Sequence, residues 1–155
     1  MAIRVAINGF GRIGRCFFRA IHGHKGIHIV AVNDLTSPEN LAYLLTYDTV
    51  YGRARFDVEA QGEALVVDGH KIPVLSEKDP TKLPWKEHKV DIVIESTGFF
   101  TDPTQAQAHI DAGPKKAVTS APLTGTGGET ILIGANEDKF GTCDVTSNAS
   151  CTTNA

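Results

Sequence analysis

A cysteine near the end of the 155-residue sequence lies among small hydroxyl and amide side chains, in the run Ser147-Asn148-Ala149-Ser150-Cys151-Thr152-Thr153-Asn154. A short strand-like segment precedes the run, so the thiol falls where a helix would begin. The N–H groups at a helix start stabilise a thiolate, which attacks carbonyl carbons, and they can also hold the resulting oxyanion. Cys151 is therefore predicted to be a nucleophile that forms a thiohemiacetal or a thioester. The alternative for any lone cysteine is a small buried hydrophobe, which is the prediction for Cys16 and Cys143.

A glycine-rich run near the start of the chain, Asn8-Gly9-Phe10-Gly11-Arg12-Ile13-Gly14-Arg15, has the spacing of a dinucleotide-binding loop. It follows an apolar strand-like segment and precedes a helical pattern, which is the context that such a loop needs. Gly9 would permit the tight turn, Gly11 would let the backbone approach a pyrophosphate, and Gly14 would let the helix pack closely on the strand. The N–H groups of the following helix would attract the phosphates.

An aspartate at the end of the next predicted strand completes this pattern, because Asp34 lies twenty positions after Gly14. Its carboxylate can accept hydrogen bonds from a ribose 2′-hydroxyl. Its charge would repel a 2′-phosphate, and the residues that follow, Leu35-Thr36-Ser37-Pro38, supply no cation to offset that repulsion. The pattern therefore favours NAD over NADP as the cofactor. The alternative, a glycine turn beside an unrelated surface aspartate, is disfavoured by the strand–turn–helix context.

Strand and helix patterns alternate along the chain. Apolar runs predict strands at 2–7, 27–32, 90–94, 116–120, 130–133 and 145–147. Helices are predicted at 12–22, from Ser37-Pro38 onward, and from Asp102-Pro103 through His109. Apolar faces are assigned to Ile13, Phe17, Ala20 and Ile21 in the first helix, and to Leu41, Leu44 and Leu45 in the second. This alternation predicts an α/β fold class, a Rossmann-type, doubly wound, mostly parallel sheet. Asp68-Gly69 between two strand-like runs predicts a hairpin, which adds an antiparallel excursion to the sheet.

The bulk composition excludes several classes of protein. A net charge of −3 gives no nucleic-acid footprint, and the sequence has neither a membrane-spanning apolar run nor a signal peptide. Three cysteines without a CxxC motif suit a reducing cytosol, so a cytoplasmic location is predicted. No metal site is predicted, because the histidines lack ligand spacing and are interpreted as surface and turn residues. They are His22, His24, His28, His70, His88 and His109.

The two chemistry-bearing runs together closely resemble those of the phosphorylating glyceraldehyde-3-phosphate dehydrogenases. The resemblance covers the whole chain and departs from the family pattern only at 123–129. Further segments that agree are Asn33-Asp34, Tyr47-Asp48-Thr49-Val50-Tyr51-Gly52, Glu95-Ser96-Thr97-Gly98-Phe99-Phe100, Ser120-Ala121-Pro122 and Gly134-Ala135-Asn136.

The resemblance implies roles for individual residues. Cys151 matches the nucleophile that attacks glyceraldehyde 3-phosphate; hydride then passes to NAD, and inorganic phosphate splits the thioester to give the acyl phosphate of glycolysis. Ser150 and Thr152 match members of the phosphate site. The residues assigned to the cofactor are Asn8, Gly9, Gly11, Arg12, Ile13, Gly14, Asp34, Lys78, Ser96, Thr97, Gly98 and Ser120.

The resemblance also predicts the domain organisation: residues 1–149 as an NAD-binding domain and 150–155 as the start of a catalytic domain. In the family the general-base histidine, the substrate-phosphate arginine and the nicotinamide-holding asparagine all follow the cysteine. We therefore expect an incomplete chain that is inactive alone and comes from a homotetrameric parent. Two alternatives remain open at this stage, erythrose-4-phosphate dehydrogenase and a stand-alone nucleotide-binding module. The length of the parent reading frame tests the second, and activity on both aldehydes tests the first.

Overall fold

A nine-stranded sheet forms the centre of the computed structural model, which describes residues 2–155. The strands of this range are β1 (Ile3–Asn8), β2 (Ile27–Asn33), β3 (Tyr47–Asp48), β4 (Gly52–Arg53), β5 (Val58–Ala60), β6 (Ala64–Val67), β7 (His70–Leu75), β8 (Ile92–Glu95), β9 (Lys116–Thr119), β10 (Glu129–Thr130) and β11 (Val145–Ser147). The helices are α1 (Arg12–Ile21), α2 (Pro38–Thr46), α3 (Pro103–Asp111) and α4 (Cys151–Asn154), with 3₁₀ turns at Pro80–Lys82 and Glu137–Lys139. Met1, the first residue of the predicted NAD-binding domain, lies outside the described residues.

The sheet confirms the predicted fold class. Its strand order is β10-β11-β9-β8-β1-β2-β7-β6-β5, and neighbours are parallel from β10 to β7. Strands β5 and β6 add to β7 in antiparallel fashion. The chain moves from β1 to β2 on one side and returns through β8 on the other, so the strand order reverses beside β1. Ligands of parallel α/β sheets bind at such a reversal, outside the carboxyl ends of the strands.

The predicted hairpin at Asp68-Gly69 is also confirmed. Val67 pairs with His70, and the two residues between them have φ of 46° and 79°. Two successive residues with positive φ make a turn whose twist matches that of the strands, which is why the Asp-Gly pair is favoured there.

Both helix-capping predictions are confirmed by side-chain hydrogen bonds. The Ser37 hydroxyl accepts from Asn40 N at 3.4 Å, and the Asp102 carboxylate accepts from Thr104 N at 2.8 Å. Each cap satisfies an N–H group that the helix itself leaves free, and a proline follows each cap at the first helical position.

The predicted apolar face of α1 is wrong in part: Phe17 packs, partly buried, against the core, but Ile13 and Ala20 are exposed. Gly14 and Phe18 are the buried residues of this helix, whereas Ile13 is 51% exposed. The cause is the close approach at Gly14, which rotates the helix so that Phe18 faces the core. There Phe18 meets Phe10 edge to face, with ring centroids 5.8 Å apart.

The interpretation of His109 as a surface or turn residue is also wrong. Its side chain is fully buried under α3, on the sheet face that also buries Trp85. The side chain is satisfied there, because both ring nitrogens have polar partners: Trp85 on one side and Glu95 on the other.

The strand predicted at 130–133 is shorter than expected, since β10 ends at Thr130. The Asn136 amide ends it: its oxygen accepts from Leu132 N at 2.8 Å, and its nitrogen donates to Thr130 O at 2.9 Å. A side chain that occupies these backbone groups turns the chain away from the sheet.

No helix in the range 2–155 has the length and apolar character needed to cross a membrane. The same range holds no group of three or more His, Cys, Asp or Glu side chains placed to hold a metal ion.

Candidate functional site

A cleft of about 460 Å³ lies outside the carboxyl ends of β1, β2 and β8, beside the reversal of strand order. Seven of the twelve residues assigned to the cofactor line it: Asn8, Gly9, Gly11, Asp34, Lys78, Ser96 and Thr97. These seven residues are up to 89 positions apart in the chain, and the parallel sheet places them at one edge.

Three glycines shape the cleft, each for a different reason. Gly9 has φ of +88°, and a Cβ there would lie 2.6 Å from Thr97 N. A Cβ on Gly14 would lie 2.3 Å from Gly9 O, so this glycine allows α1 to pack against the turn. A Cβ on Gly11 would meet no atom within 4 Å. The fold itself therefore leaves the space at Gly11 open, and a bound group can approach the backbone there.

Asp34 holds the loops on both sides of the cleft. Its Oδ2 accepts from Phe10 N at 2.7 Å, and its Oδ1 accepts from Thr36 N at 2.9 Å. A carboxylate has about four acceptor positions, so Asp34 keeps capacity for donors from a ligand. Its position at the end of β2 agrees with the predicted ribose contact.

Arg12 and Ile13, predicted to line the pyrophosphate, lie outside the cleft. The Arg12 guanidinium pairs with Asp48 instead. The Tyr51 amide, this guanidinium and the Val50 amide hold the pKa of Asp48 well below its usual range. The pair joins the start of α1 to the chain that follows α2. The backbone at positions 12 and 13 forms the first turn of α1, where N–H groups have no partner within the helix.

Ser96, Gly98 and Ser120 occupy the ends of β8 and β9. The Ser96 hydroxyl donates to Gly9 O at 2.6 Å and so ties this strand end to the glycine turn. Gly98 has φ of +78° and precedes Phe99 and Phe100, which line the cleft. Ser120 N donates to Glu95 O at 2.9 Å, and its side chain is not part of the cleft.

Cys151 is exposed and begins α4, the single helical turn that the sequence predicted at this position. The Ser150 hydroxyl caps the turn by accepting from Thr153 N at 3.1 Å, and it lies 2.9 Å from the Thr152 hydroxyl. The Asn154 amide fastens the turn to the preceding strand by donating to Asn148 O at 2.7 Å. The thiol is therefore accessible, and its neighbours in the chain, Ser150 and Thr152, have hydroxyl groups that contact each other.

A comparison with protein families identifies residues 3–103 as matching the model described as glyceraldehyde 3-phosphate dehydrogenase, NAD binding domain. The chain belongs to this family. Its members bind NAD through this domain, which accounts for the open cleft at Gly11 and the aspartate at the end of β2.

Individual relatives are similar over nearly the whole chain. It is 51% identical to glyceraldehyde-3-phosphate dehydrogenase 1 of Bacillus subtilis over 156 residues, which cover 99% of the chain and 46% of the relative. Its identity to the glyceraldehyde-3-phosphate dehydrogenase of Priestia megaterium is 48%, with the same shares covered. The enzyme of Mycoplasma pneumoniae is 50% identical over 153 residues, which are 98% of the chain and 45% of the relative. The chain spans about half the length of the curated relatives it matches, and their names do not favour the erythrose-4-phosphate alternative.

The cleft of this family member also contains residues that the sequence prediction did not assign to the site. They are Asn33, Leu35, Glu77, Phe99 and Phe100. Four of them adjoin an assigned residue, a signal that was available: Asn33 and Leu35 flank Asp34, Phe99 follows Gly98, and Glu77 precedes Lys78. Phe100 is one residue further from Gly98. The connection after β7 that contains Glu77 reaches the cleft because β7 runs parallel to β2.

Proposed function

We propose that the chain is the NAD-binding part of a phosphorylating glyceraldehyde-3-phosphate dehydrogenase. Residues 1–149 form the cofactor domain in this proposal, and 150–155 begin the catalytic domain. The observation that carries it is the cleft beside β1, where space is left open at Gly11 and Asp34 lies at the neighbouring strand end.

The chain's own residues fit NAD at this cleft. The backbone of Gly11 and the first turn of α1 offer free N–H groups to the pyrophosphate, and Asp34 offers its remaining acceptor positions to a ribose hydroxyl. Lys78 lines the same cleft and adds a positive charge near the adenosine half. Asn8, Ser96 and Thr97 form the wall at the end of β1 and β8. When bound, NAD supplies the hydride acceptor.

Cys151 performs the covalent step in this proposal. Its sulfur forms a bond to the aldehyde carbon of glyceraldehyde 3-phosphate, and the carbonyl oxygen takes a proton to give a thiohemiacetal. Loss of hydride and of that proton leaves a thioester. An oxygen of inorganic phosphate then forms a bond to the same carbon as the carbon–sulfur bond breaks, which releases an acyl phosphate and regenerates the thiolate. Ser150 and Thr152, which flank Cys151 in the chain and whose hydroxyls lie 2.9 Å apart, would hold the phosphate.

Two features of the parent protein belong to the same proposal. It works in the cytoplasm and assembles as a homotetramer, as the resemblance to the family implies. The 155-residue chain alone lacks phosphorylating dehydrogenase activity, because the family's general-base histidine follows the nucleophile beyond the last residue given. Loss of a general base lowers rates by typically ~10²–10⁴-fold.

Titration calorimetry of the 155-residue chain with NAD tests the cofactor assignment. We expect binding that is weaker than that of a full-length relative, and the absence of heat at millimolar NAD would overturn the assignment.

In the longer protein, Cys151→Ser should abolish formation of NADH from glyceraldehyde 3-phosphate, NAD and phosphate. The matched control, Cys143→Ser, should retain it, because the Cys143 thiol is half-buried and donates to Val145 O instead.

A further inference from the structure

A row of buried polar side chains crosses the sheet directly behind the cleft. Parallel register aligns Asn33 with Asn8, Asn8 with Glu95, Glu95 with Thr119, and Thr119 with Ser147, so one polar residue ends each of five adjacent strands. Each of the five is at most 5% exposed. Buried polar groups cost free energy unless they are hydrogen-bonded, so a continuous row of them indicates a purpose other than filling the core.

Glu95 is the hub of this row, and its carboxylate is fully occupied. One oxygen accepts from Asn8 Nδ2 at 2.6 Å and from His109 Nε2 at 2.9 Å. The other accepts from Thr97 N at 2.8 Å and also from the Thr97 hydroxyl. These four donors fill the acceptor positions of a carboxylate, so its orientation is fixed from both sides.

Trp85 determines which nitrogen of His109 carries the proton. The indole N–H can only donate, and it lies 3.1 Å from Nδ1 of His109. Nδ1 must therefore accept, and Nε2 carries the proton that is donated to Glu95. The result is a directed chain of hydrogen bonds from Trp85 through His109 to Glu95, entirely inside the protein.

The other side of the row reaches the walls of the cleft. Asn8 Oδ1 accepts from Asn33 Nδ2 at 2.7 Å. The Asn33 amide then holds the backbone of Glu77 at two atoms: it donates to Glu77 O at 2.8 Å and accepts from Glu77 N at 2.9 Å. Glu77, Lys78 and Thr97 all line the cleft, and Thr97 is held by Glu95. Two segments of the cleft lining, at 77–78 and at 97, are thus fastened by one network.

We propose that Glu95 and His109 are positioning residues for the dinucleotide cleft: His109, which lines no part of it, fixes the Glu95 carboxylate, and Glu95 fixes Asn8 and Thr97 in the geometry that receives the cofactor. This inference rests on the proposed function, since it concerns the same cleft. It assigns a binding role to a histidine that is completely buried under α3.

Three variants separate positioning from simple stability. His109→Gln keeps an N–H donor toward Glu95, whereas His109→Leu removes it at similar volume. Trp85→Phe is the matched control, because it removes a hydrogen bond to the same imidazole, while the Glu95 carboxylate, which can only accept, still keeps the proton on Nε2. A fourth variant, Glu95→Gln, keeps the shape of the side chain but replaces one acceptor oxygen by an NH₂ group. In either orientation of the amide this NH₂ group faces existing donors, which are Asn8 and His109 on one side and Thr97 on the other.

Two readouts are measured on the 155-residue chain, along with the urea midpoint of each variant. The first is NAD affinity by calorimetry. The second is the hydrogen exchange rate of the Thr97 amide without cofactor, referred to the amide of Ile7 in the buried strand β1. The exchange readout reports on the cleft wall even if the chain fails to bind NAD, so failure of the proposed function and failure of this inference are distinguishable.

We expect His109→Leu and Glu95→Gln to weaken NAD binding by about tenfold, the size of one lost hydrogen bond to a charged group, and to speed exchange at Thr97 relative to Ile7. His109→Gln should recover most of both effects. Trp85→Phe should lower the urea midpoint without changing either. The inference is overturned if affinity merely follows the urea midpoint across all four variants, or if Thr97 exchange is unchanged in Glu95→Gln. If His109→Leu does not fold, the comparison of Glu95→Gln with Trp85→Phe decides the question by the same criteria.

Discussion

Replacing the three glycines of the loop by alanine, one at a time, should separate their contributions to folding from their contribution to binding. Gly11 is the informative position, because a Cβ there has no neighbour within 4 Å. Alanine at this helix N-cap costs at most about 1 kcal/mol relative to glycine, and the reduced freedom of the unfolded chain returns about 0.4–1 kcal/mol. The stability of Gly11→Ala should therefore stay within about 1 kcal/mol of that of the unmodified chain.

Binding should change at the same position. The methyl group would occupy the space through which the pyrophosphate approaches the backbone, and an overpacked contact costs typically about 1–3 kcal/mol. That range corresponds to an NAD affinity lower by roughly 5- to 150-fold.

Alanine at either of the other two glycines should lower the stability of the fold. At Gly14 the new Cβ would lie 2.3 Å from a backbone oxygen, and at Gly9 it would lie 2.6 Å from a backbone nitrogen in a residue that already has positive φ. Overpacking of about 1–3 kcal/mol outweighs the helix-propensity gain of up to about 1 kcal/mol at Gly14. With about 2–4 °C lost per kcal/mol in a domain of this size, Gly14→Ala should melt several degrees lower, and Gly9→Ala lower still.

Thermal unfolding and NAD titration of each variant provide the test, and Gly26→Ala provides a control outside the cleft, where the Cβ would contact only the His24 ring at 3.4 Å. A Gly11→Ala chain that binds NAD as well as the unmodified chain would show that no ligand approaches this backbone. A Gly14→Ala chain of unchanged melting temperature would show that the turn relaxes freely, contrary to the overlap with Gly9 O.

Three further outcomes can be measured on the same chain. Asp34→Asn should narrow the preference for NAD over NADP by at least about fivefold, since it removes the charge that would face a 2′-phosphate; equal affinity for both cofactors in the unmodified chain would contradict the reasoning. Iodoacetamide should label Cys151 faster than Cys143, as judged by peptide mass spectrometry across pH, because only the former is exposed; if Cys151 reacts no faster than an unstructured cysteine, the helix start contributes nothing to its reactivity. Asp48→Asn should lower the melting temperature above about pH 4, and the difference from the unmodified chain should shrink as pH falls below that value. A carboxyl with a depressed pKa stabilises the fold in full only above its unfolded-state pKa and loses that contribution progressively as pH falls toward its folded-state pKa; a difference that does not depend on pH would exclude this role.

Local signals in the sequence were sufficient for much of the fold. The Asp68-Gly69 turn and the two helix caps depend on a few neighbouring residues, and each has the predicted geometry. The glycine loop was predictable for the same reason, since its three glycines and the strand end at Asp34 lie within one βαβ unit. In each case the physical requirement and the residues that meet it are adjacent in the chain.

Predictions failed where the deciding contact comes from elsewhere in the chain. Helical periodicity assigns Ile13 to a buried face, but the contact between Gly14 and the preceding turn sets the rotation of α1. The assignment of Arg12 to the pyrophosphate stays a prediction, and the pairing of its guanidinium with a carboxylate 36 residues away is a contact that the local sequence does not reveal. His109 looked like a surface residue because its partners, Glu95 and an indole, lie 14 and 24 residues away.

The polar row behind the cleft illustrates a signal that is present in the sequence but needs a topological argument. Each of five predicted strands carries a polar residue at or near its carboxyl end, and in isolation each such residue is only the polar end of a strand. Once the strands are taken as parallel neighbours, their carboxyl ends must lie at one edge of the sheet, and side chains in register share one face. A polar residue at that position on five strands then predicts a row of buried polar side chains before any side chain is placed, of which Asn33, Asn8 and Glu95 are joined in the hydrogen-bond network. A sheet of the same strands in antiparallel order would scatter these residues over both edges, so the network is a consequence of the parallel topology that also creates the cleft.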